Sequence, residues 1–360
     1  MFFHIDADEG HRIIGWVAPD DPAQTPKILV KVQDQEEFAL EADILRPEVR
    51  DLGLHPTGEV GFEITNLIVP DLENIDDVEL FDAVERIPIY RRFPPGRFIE
   101  RKLFLFDCSV MPQRRIINAA SRRFALCYTA AEHYLPETIH VLINNKSARS
   151  QFLAGRPNFS RVCQHLRSAE YLVAAMLRDP FTEMAERLLV LKLLSRPNSS
   201  HLLKTFVTGV EPLVDFARDL KIDEHRAVLS AFRNCTDAQR MALASPMVKT
   251  FGCNPEEAPD WPHVSRALEN LATMDVVGME TSYPLFRSLL NEAVGTEFLR
   301  DEASETFSSV SSLAQILARV GLAADLLEHD IALYEAAQES ILAAVEGGSE
   351  GPAPNGAQII

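Results

Sequence analysis

The chain has 360 residues, 46% hydrophobic and 24% charged, with a formal net charge of −18, enough apolar mass for two or three cored domains. No run approaches the ~18 apolar residues of a membrane-spanning helix, and the start, Met1-Phe2-Phe3-His4, lacks the basic and apolar regions of a secretory signal. Five scattered cysteines form neither a disulfide framework nor a zinc site, so a cytoplasmic protein with no metal and no membrane span is expected.

Residues 1–89 carry 21 acidic against 6 basic side chains and read as β structure. Ile13–Val17, Lys27–Val32, Gly61–Ile64 and Val78–Phe81 are short apolar or alternating runs. Pro19-Asp20-Asp21-Pro22, His55-Pro56-Thr57-Gly58 and Pro70-Asp71 between them are turn chemistry. The spacing predicts a small β-sandwich over 1–92, with a helical or turn excursion over 43–54. Gly15-Trp16, Ala42-Asp43…Arg46-Pro47-Glu48 and Gly61-Phe62 stand in the order seen in a β accessory module of bacterial sugar-modifying enzymes, which this segment resembles.

Arg91-Arg92-Phe93-Pro94-Pro95-Gly96-Arg97 marks a boundary, because paired prolines interrupt helix and sheet alike. Beyond it the charge reverses: residues 90–195 hold 8 acidic and 17 basic side chains, mostly arginine. Such a local field attracts a small anion, while the acidic remainder argues against a nucleic acid polymer. Lys102–Phe106 reads as a buried strand followed by a helical stretch through Leu126. Thr138–Ile143 reads as a second strand and Tyr171–Leu177 as a third, with a helix over 181–194 and a further strand at Met274–Met279. Strands alternating with helices predict a parallel sheet flanked by helices over 98–345, mainly helical toward its end. A long amphipathic helix is expected within 316–345, interrupted at Gly321, and a flexible tail over 346–360.

Two strand ends carry the chemistry. After the first comes Asp107-Cys108-Ser109-Val110-Met111-Pro112-Gln113-Arg114-Arg115. It is no Walker loop, yet Ser109 offers a hydroxyl and Arg114 and Arg115 offer charge near a helix start. An ordinary strand-to-helix turn with exposed arginines reads equally well. After the third strand, Arg178 precedes Asp179, suited to cap a helix, and Pro180, suited to its first turn. An arginine beside a helix N-terminus suits a phosphate.

This segment resembles the carbohydrate-type sulfotransferases, which move sulfate from 3′-phosphoadenosine 5′-phosphosulfate (PAPS) to a sugar hydroxyl. Their second nucleotide motif is a strand ending in Arg-(Asp/Asn)-Pro with a serine eight residues after the arginine, and Leu177-Arg178-Asp179-Pro180-Phe181 matches its start. Met274-Asp275-Val276-Val277-Gly278 and Asp330-Ile331-Ala332-Leu333-Tyr334 are similar to two later family motifs. The resemblance implies a nucleotide donor held by Ser109, Arg114, Arg115, Arg178 and Lys249, and a saccharide acceptor. His140 would be the general base, with Glu132 and His133 as alternatives. The cationic loop Lys146-Ser147-Ala148-Arg149-Ser150, then Gly155-Arg156-Pro157-Asn158, reads as an anion or acceptor contact, or as plain basic surface. The chain departs from the family in two places. Pro112-Gln113-Arg114 lacks the donor-loop lysine, and Glu186 stands where the serine that holds the 3′-phosphate belongs. A non-catalytic carbohydrate- or partner-binding protein on a degenerate scaffold is the alternative.

Overall fold

The computed structural model describes residues 1–33, 35–196, 210–300 and 307–347. Its first part comprises β1 (Phe2–Asp8), β2 (Arg12–Ala18), β3 (Lys27–Val32), β4 (Phe38–Glu41), β5 (Ile44–Leu45), α1 (Pro47–Asp51), β6 (Glu59–Thr65), β7 (Val78–Asp82) and β8 (Pro88–Arg92). They make two four-stranded antiparallel sheets, β1-β2-β6-β5 and β4-β3-β7-β8. Every second residue of β3 and β7 is buried, the alternation that a half-solvated sheet requires. Ile5, Ile13 and Phe62 of one sheet share a core with Ile28, Val30 and Leu80 of the other, so this part is the expected sandwich. Gly61 is glycine because Arg46 crosses it: a Cβ there would lie 2.8 Å from Arg46 Nε. That guanidinium pairs with Asp6 and Glu48.

The second part opens with β9 (Lys102–Asp107), α2 (Arg114–Ser121), β10 (Leu126–Tyr128), α3 (Pro136–Ile143), β11 (Gln151–Gly155), α4 (Phe159–Ser168), β12 (Leu172–Leu177) and α5 (Pro180–Leu194). Then come α6 (Leu213–Asp219), α7 (His225–Arg233), α8 (Asp237–Leu243), α9 (Pro246–Phe251), α10 (Trp261–Leu271), β13 (Val276–Met279) and α11 (Tyr283–Val294). The chain finishes with α12 (Ser308–Leu317), α13 (Gly321–Leu326) and α14 (Glu328–Gly347), so the long helix expected over 316–345 is broken before Gly321 and again before Glu328. Residues 348–360 of the expected tail lie outside the described residues.

The five strands β9 to β13 form a parallel sheet in the order β10-β11-β9-β12-β13. Central β9 is buried from Leu103 to Asp107. Phe104 and Phe106 join the core continuous with the sandwich, and Leu103 and Leu105 pack on the other face with Phe124, Phe152 and Phe286. A separate helical core gathers α5, α6, α7 and α12. The Tyr128 hydroxyl donates to the Pro88 carbonyl at 2.6 Å, tying the sheet edge to β8.

Two expectations for this region are corrected. Thr138–Ile143 is helix, not strand: Pro136 opens α3, and buried Ile139, Leu142 and Ile143 fall on one helical face. The helix expected to run through Leu126 stops at Ser121, and Leu126 begins β10. The missing strand is β11, where Gln151 is wholly buried and its amide donates to the Leu142 carbonyl at 3.0 Å.

Gly155 ends β11 with φ +151°, and a Cβ there would fall 2.3 Å from the Ala131 amide nitrogen and 2.4 Å from Glu132 Oε2. Backbone cannot yield as a side-chain tip does. Gly155→Ala is expected to lower stability by about 1–3 kcal/mol, read as a lower urea midpoint at unchanged slope; an unchanged midpoint would contradict this packing.

Candidate functional site

In an open parallel sheet the ligand crevice lies beyond the carboxyl ends of the strands, where the strand order reverses. Here β9, β11, β12 and β13 deliver Asp107, Arg156, Arg178 and Glu280 to that edge. Arg178 is 1% exposed. Its Nη1 donates to Ser109 Oγ at 2.9 Å, its Nε lies 3.3 Å from Glu280, and its Nη2 lies 3.6 Å from Glu186. Gln113 also donates to Ser109 Oγ, at 3.0 Å.

Helix α5 explains how Glu186 arrives. Asp179 caps it by accepting from the Thr182 amide and hydroxyl, both at 2.8 Å, and Pro180 follows in the first turn. Glu183 and Glu186 stand three positions apart, so both lie on one face, and both are 1% exposed. The second Glu186 oxygen accepts the Val110 amide at 2.8 Å. The loop after β9 therefore closes on a carboxylate belonging to the chain itself. Burial pushes the Glu186 carboxyl above its ordinary value, while Arg178 and the Val110 amide draw it back. Asp107 accepts the Ser109 amide, and burial raises its carboxyl to about 6.

Between this loop and the ends of β10 and β11 remains a cavity of about 10 Å³, bordered by Asp107, Ser109, Val110, Glu132 and Gly155. That is space for one water at most. A phosphate or sulfate group does not fit this corner as it stands.

A second network sits beside it. Glu183 binds Arg156 Nη1 at 2.9 Å and also pairs with Arg187. Arg187 and Arg156 hold the Glu183 carboxyl low against its burial. Arg156, Arg187 and Lys249 then face a cleft of about 890 Å³, with Glu256, Glu257 and Glu328 also lining it. Burial and Arg187 together lower the Lys249 ammonium, whose Nζ donates to the Met241 carbonyl. Helix α9, which carries Lys249, starts on buried Asp330, whose two oxygens accept the Met247 and Val248 amides at 2.9 and 2.8 Å. Burial raises that carboxyl to about 7.

The proposed donor residues therefore separate. Ser109, Arg178 and Glu186 meet as one buried cluster. Arg114 and Arg115 are exposed at the start of α2, and Lys249 belongs to the cleft wall. His140 sits on α3, half-buried, with its ring 4.1 Å from that of His165 and Nε2 3.4 Å from the Arg161 carbonyl. It lines a recess of about 180 Å³ that shares Glu132, Arg156, Asn158 and Pro255 with the larger cleft. The loop carrying Lys146 and Arg149 lies at the amino ends of the strands, beside Lys102. Glu183, Glu280 and Asp330 were not singled out from the sequence for these roles. The helical spacing of Glu183, Glu186 and Arg187 was the available signal for the first. Among the described residues, no group of three or more His, Cys, Asp or Glu side chains is placed to hold a metal ion, and no helix is long and apolar enough to cross a membrane. No family model matches the chain, and no curated protein matches it significantly.

Removing the guanidinium strips the buried Glu186 carboxylate of its Arg178 ion pair, so Arg178→Ala is expected to cost about 3–5 kcal/mol of stability, measured by urea unfolding. A loss under about 1 kcal/mol would show that the cluster is not the structural element described.

Asp330 gives a pH signature. Its folded value of about 7 lies above the ordinary 3.8, so the native state keeps a proton that the unfolded chain releases between those values. Its contribution is therefore favourable at acid pH and is lost as pH rises through about 7. Asp330→Asn should fall less in stability than the wild type between about pH 5 and 7.5; parallel declines would place the titration elsewhere.

Proposed function

We propose that the chain is a saccharide-binding protein on a sulfotransferase-like scaffold whose donor corner is filled by its own Glu186. The observation that carries this reading is the Glu186 carboxylate seated on both the Val110 amide and the Arg178 pair. A donor phosphate needs the same N–H group and the same guanidinium. The lysine that the resembled family uses on the transferring group also has no counterpart in Pro112-Gln113-Arg114.

The open cleft supplies the binding surface. Its volume, about 890 Å³, lies in the range of ligand pockets. Carboxylates at Glu256, Glu257, Asp325 and Glu328 accept hydroxyl groups well and disfavour a highly anionic ligand. Trp261, 57% exposed, stands edge-on to the cleft residue His329 with ring centroids 5.1 Å apart. An indole face of this kind packs against the C–H face of a sugar while its N–H stays wet.

A second reading is sulfate transfer from PAPS to a saccharide hydroxyl, with Arg178 on the nucleotide and His140 as base. The Arg178-Asp179-Pro180 turn at a strand end favours it, as does the His140 recess adjoining the cleft.

Thermal shift with 3′-phosphoadenosine 5′-phosphate separates the two. Wild type is expected not to respond at millimolar nucleotide, and Glu186→Ser, which vacates the amide and the guanidinium, is expected to gain a response. A wild-type stabilisation of roughly 2.7 kcal/mol, that of a ligand at ~100 times its Kd, would overturn the blocked-corner reading and favour the second one instead. On a panel of neutral oligosaccharides, Trp261→Ala should lose binding that the wild type shows; absence of any wild-type binding would reject the saccharide reading.

A further inference from the structure

A second groove of about 420 Å³ lies at the opposite end of the parallel sheet, lined by Arg101, Lys102, Lys146 and Arg149 together with Glu100 and Glu170. Lys102 opens β9 and Asp107 closes it, so the five intervening steps place this groove about 16 Å from the Arg178 corner along the strand. The arginines of the Arg178 and Glu183 clusters face carboxylates within ion-pair distance, although Arg178 Nε and Nη2 make no hydrogen bond. The cations here do not: Arg101, Lys146 and Arg149 are exposed, and among the described residues their side chains take part in no ion pair or hydrogen bond.

The groove has an ordered frame. The Asn145 side-chain oxygen accepts the Ser147 amide at 3.1 Å and the Ser147 hydroxyl at 2.6 Å, which fixes the turn presenting Lys146 and Arg149. Half-buried Lys102 donates to the Asn145 carbonyl at 3.0 Å and stands 5.6 Å from the Tyr171 ring centroid. Burial lowers its ammonium, partly offset by Glu170. The two residues that hold Lys102 each carry a buried polar atom with no partner, Asn145 Nδ2 and the Tyr171 hydroxyl. Along the groove walls four cations face two carboxylates.

We propose that this groove binds a small, multiply charged anion bearing phosphate or sulfate ester groups. Two guanidiniums offer planar forks for such oxygens, and two ammoniums add point charge. The volume suits a compact ligand, and Glu100 and Glu170 limit its extent. The chain's net charge of −18 repels a long polyanion but leaves a small one to be drawn into a local positive field. The inference goes beyond the saccharide reading of the cleft and does not depend on it.

Calorimetric titration of the full chain at low salt, with inorganic pyrophosphate in one arm and a disulfated disaccharide in the other, tests this. At least one probe is expected to bind with a submillimolar Kd that weakens as salt rises. The double variant Lys146→Ala/Arg149→Ala, altered only at exposed side chains, should weaken it at least about tenfold. Arg101→Ala should weaken it in the same direction, and Glu186→Ser should leave it unchanged. The stronger arm identifies the ester class. No binding of either probe at millimolar concentration, or binding indifferent to the groove variants, would overturn the proposal.

Discussion

A single buried guanidinium organises the carboxyl edge of the parallel sheet. Arg178 reaches β9 through Ser109, α5 through Glu186 and the end of β13 through Glu280. An unpaired charge at 1% exposure would be prohibitive, so each of these elements must bring its oxygen to the same point. The loop after β9 is tied to the same point, because Glu186 faces Arg178 with one oxygen and accepts the Val110 amide with the other. The central strand, its neighbour and the helix between β12 and the C-terminal helices are thus locked through polar atoms as well as through the apolar faces of β9.

The same principle redistributes the positive charge that the sequence concentrates between residues 90 and 195. Arg156 and Arg187 converge on Glu183, and Arg178 on Glu186 and Glu280. At the end of β8 and in the linker after it, Arg91 and Arg97 both bind Asp77, and Arg92 binds Asp8. Part of the excess charge in the sequence therefore becomes internal pairing. Of the exposed cations, Arg101, Lys146 and Arg149 gather at the amino ends of the strands, the end from which a donor-binding reading of the motif draws nothing. Charge counting along a chain locates a field only after the pairs have been removed.

Legibility in the sequence followed the physics of each element. Strands β2, β3, β6 and β7 were readable because alternation survives where one face is wet, and β9, β12 and β13 because a buried strand must be apolar throughout. Strand β1 alternates His4, Asp6 and Asp8 with Phe3 and Ile5, and its charges masked it. Pro88 similarly masked the edge strand β8, where the missing N–H costs little. Strand β11 opens on Gln151, a polar residue made tolerable in the core by the Leu142 carbonyl, a contact that local pattern does not contain. Thr138, Ile139, Val141 and Ile143 carry β propensity, but Pro136 and the one-sided burial of α3 prevailed. At the site, the strand-end arginine with its Asp-Pro helix start was legible, and so was the conflict at Glu186. Its resolution was not, since the Val110 contact spans 76 residues.

That resolution also sets the terms on which a ligand could enter. An intramolecular carboxylate reaches Arg178 and the Val110 amide without the loss of translational freedom that a separate anion incurs. A phosphate would have to displace it and then match its contacts. Each charge-assisted hydrogen bond surrendered is worth roughly 1.5–3 kcal/mol, so losing even one without replacement weakens a ligand by one to two decades. The displaced Glu186 would in addition remain buried near Asp107 and Glu183, two carboxylates that already oppose its ionisation. Any anion entering this corner must therefore compete with a partner that the chain already holds in place.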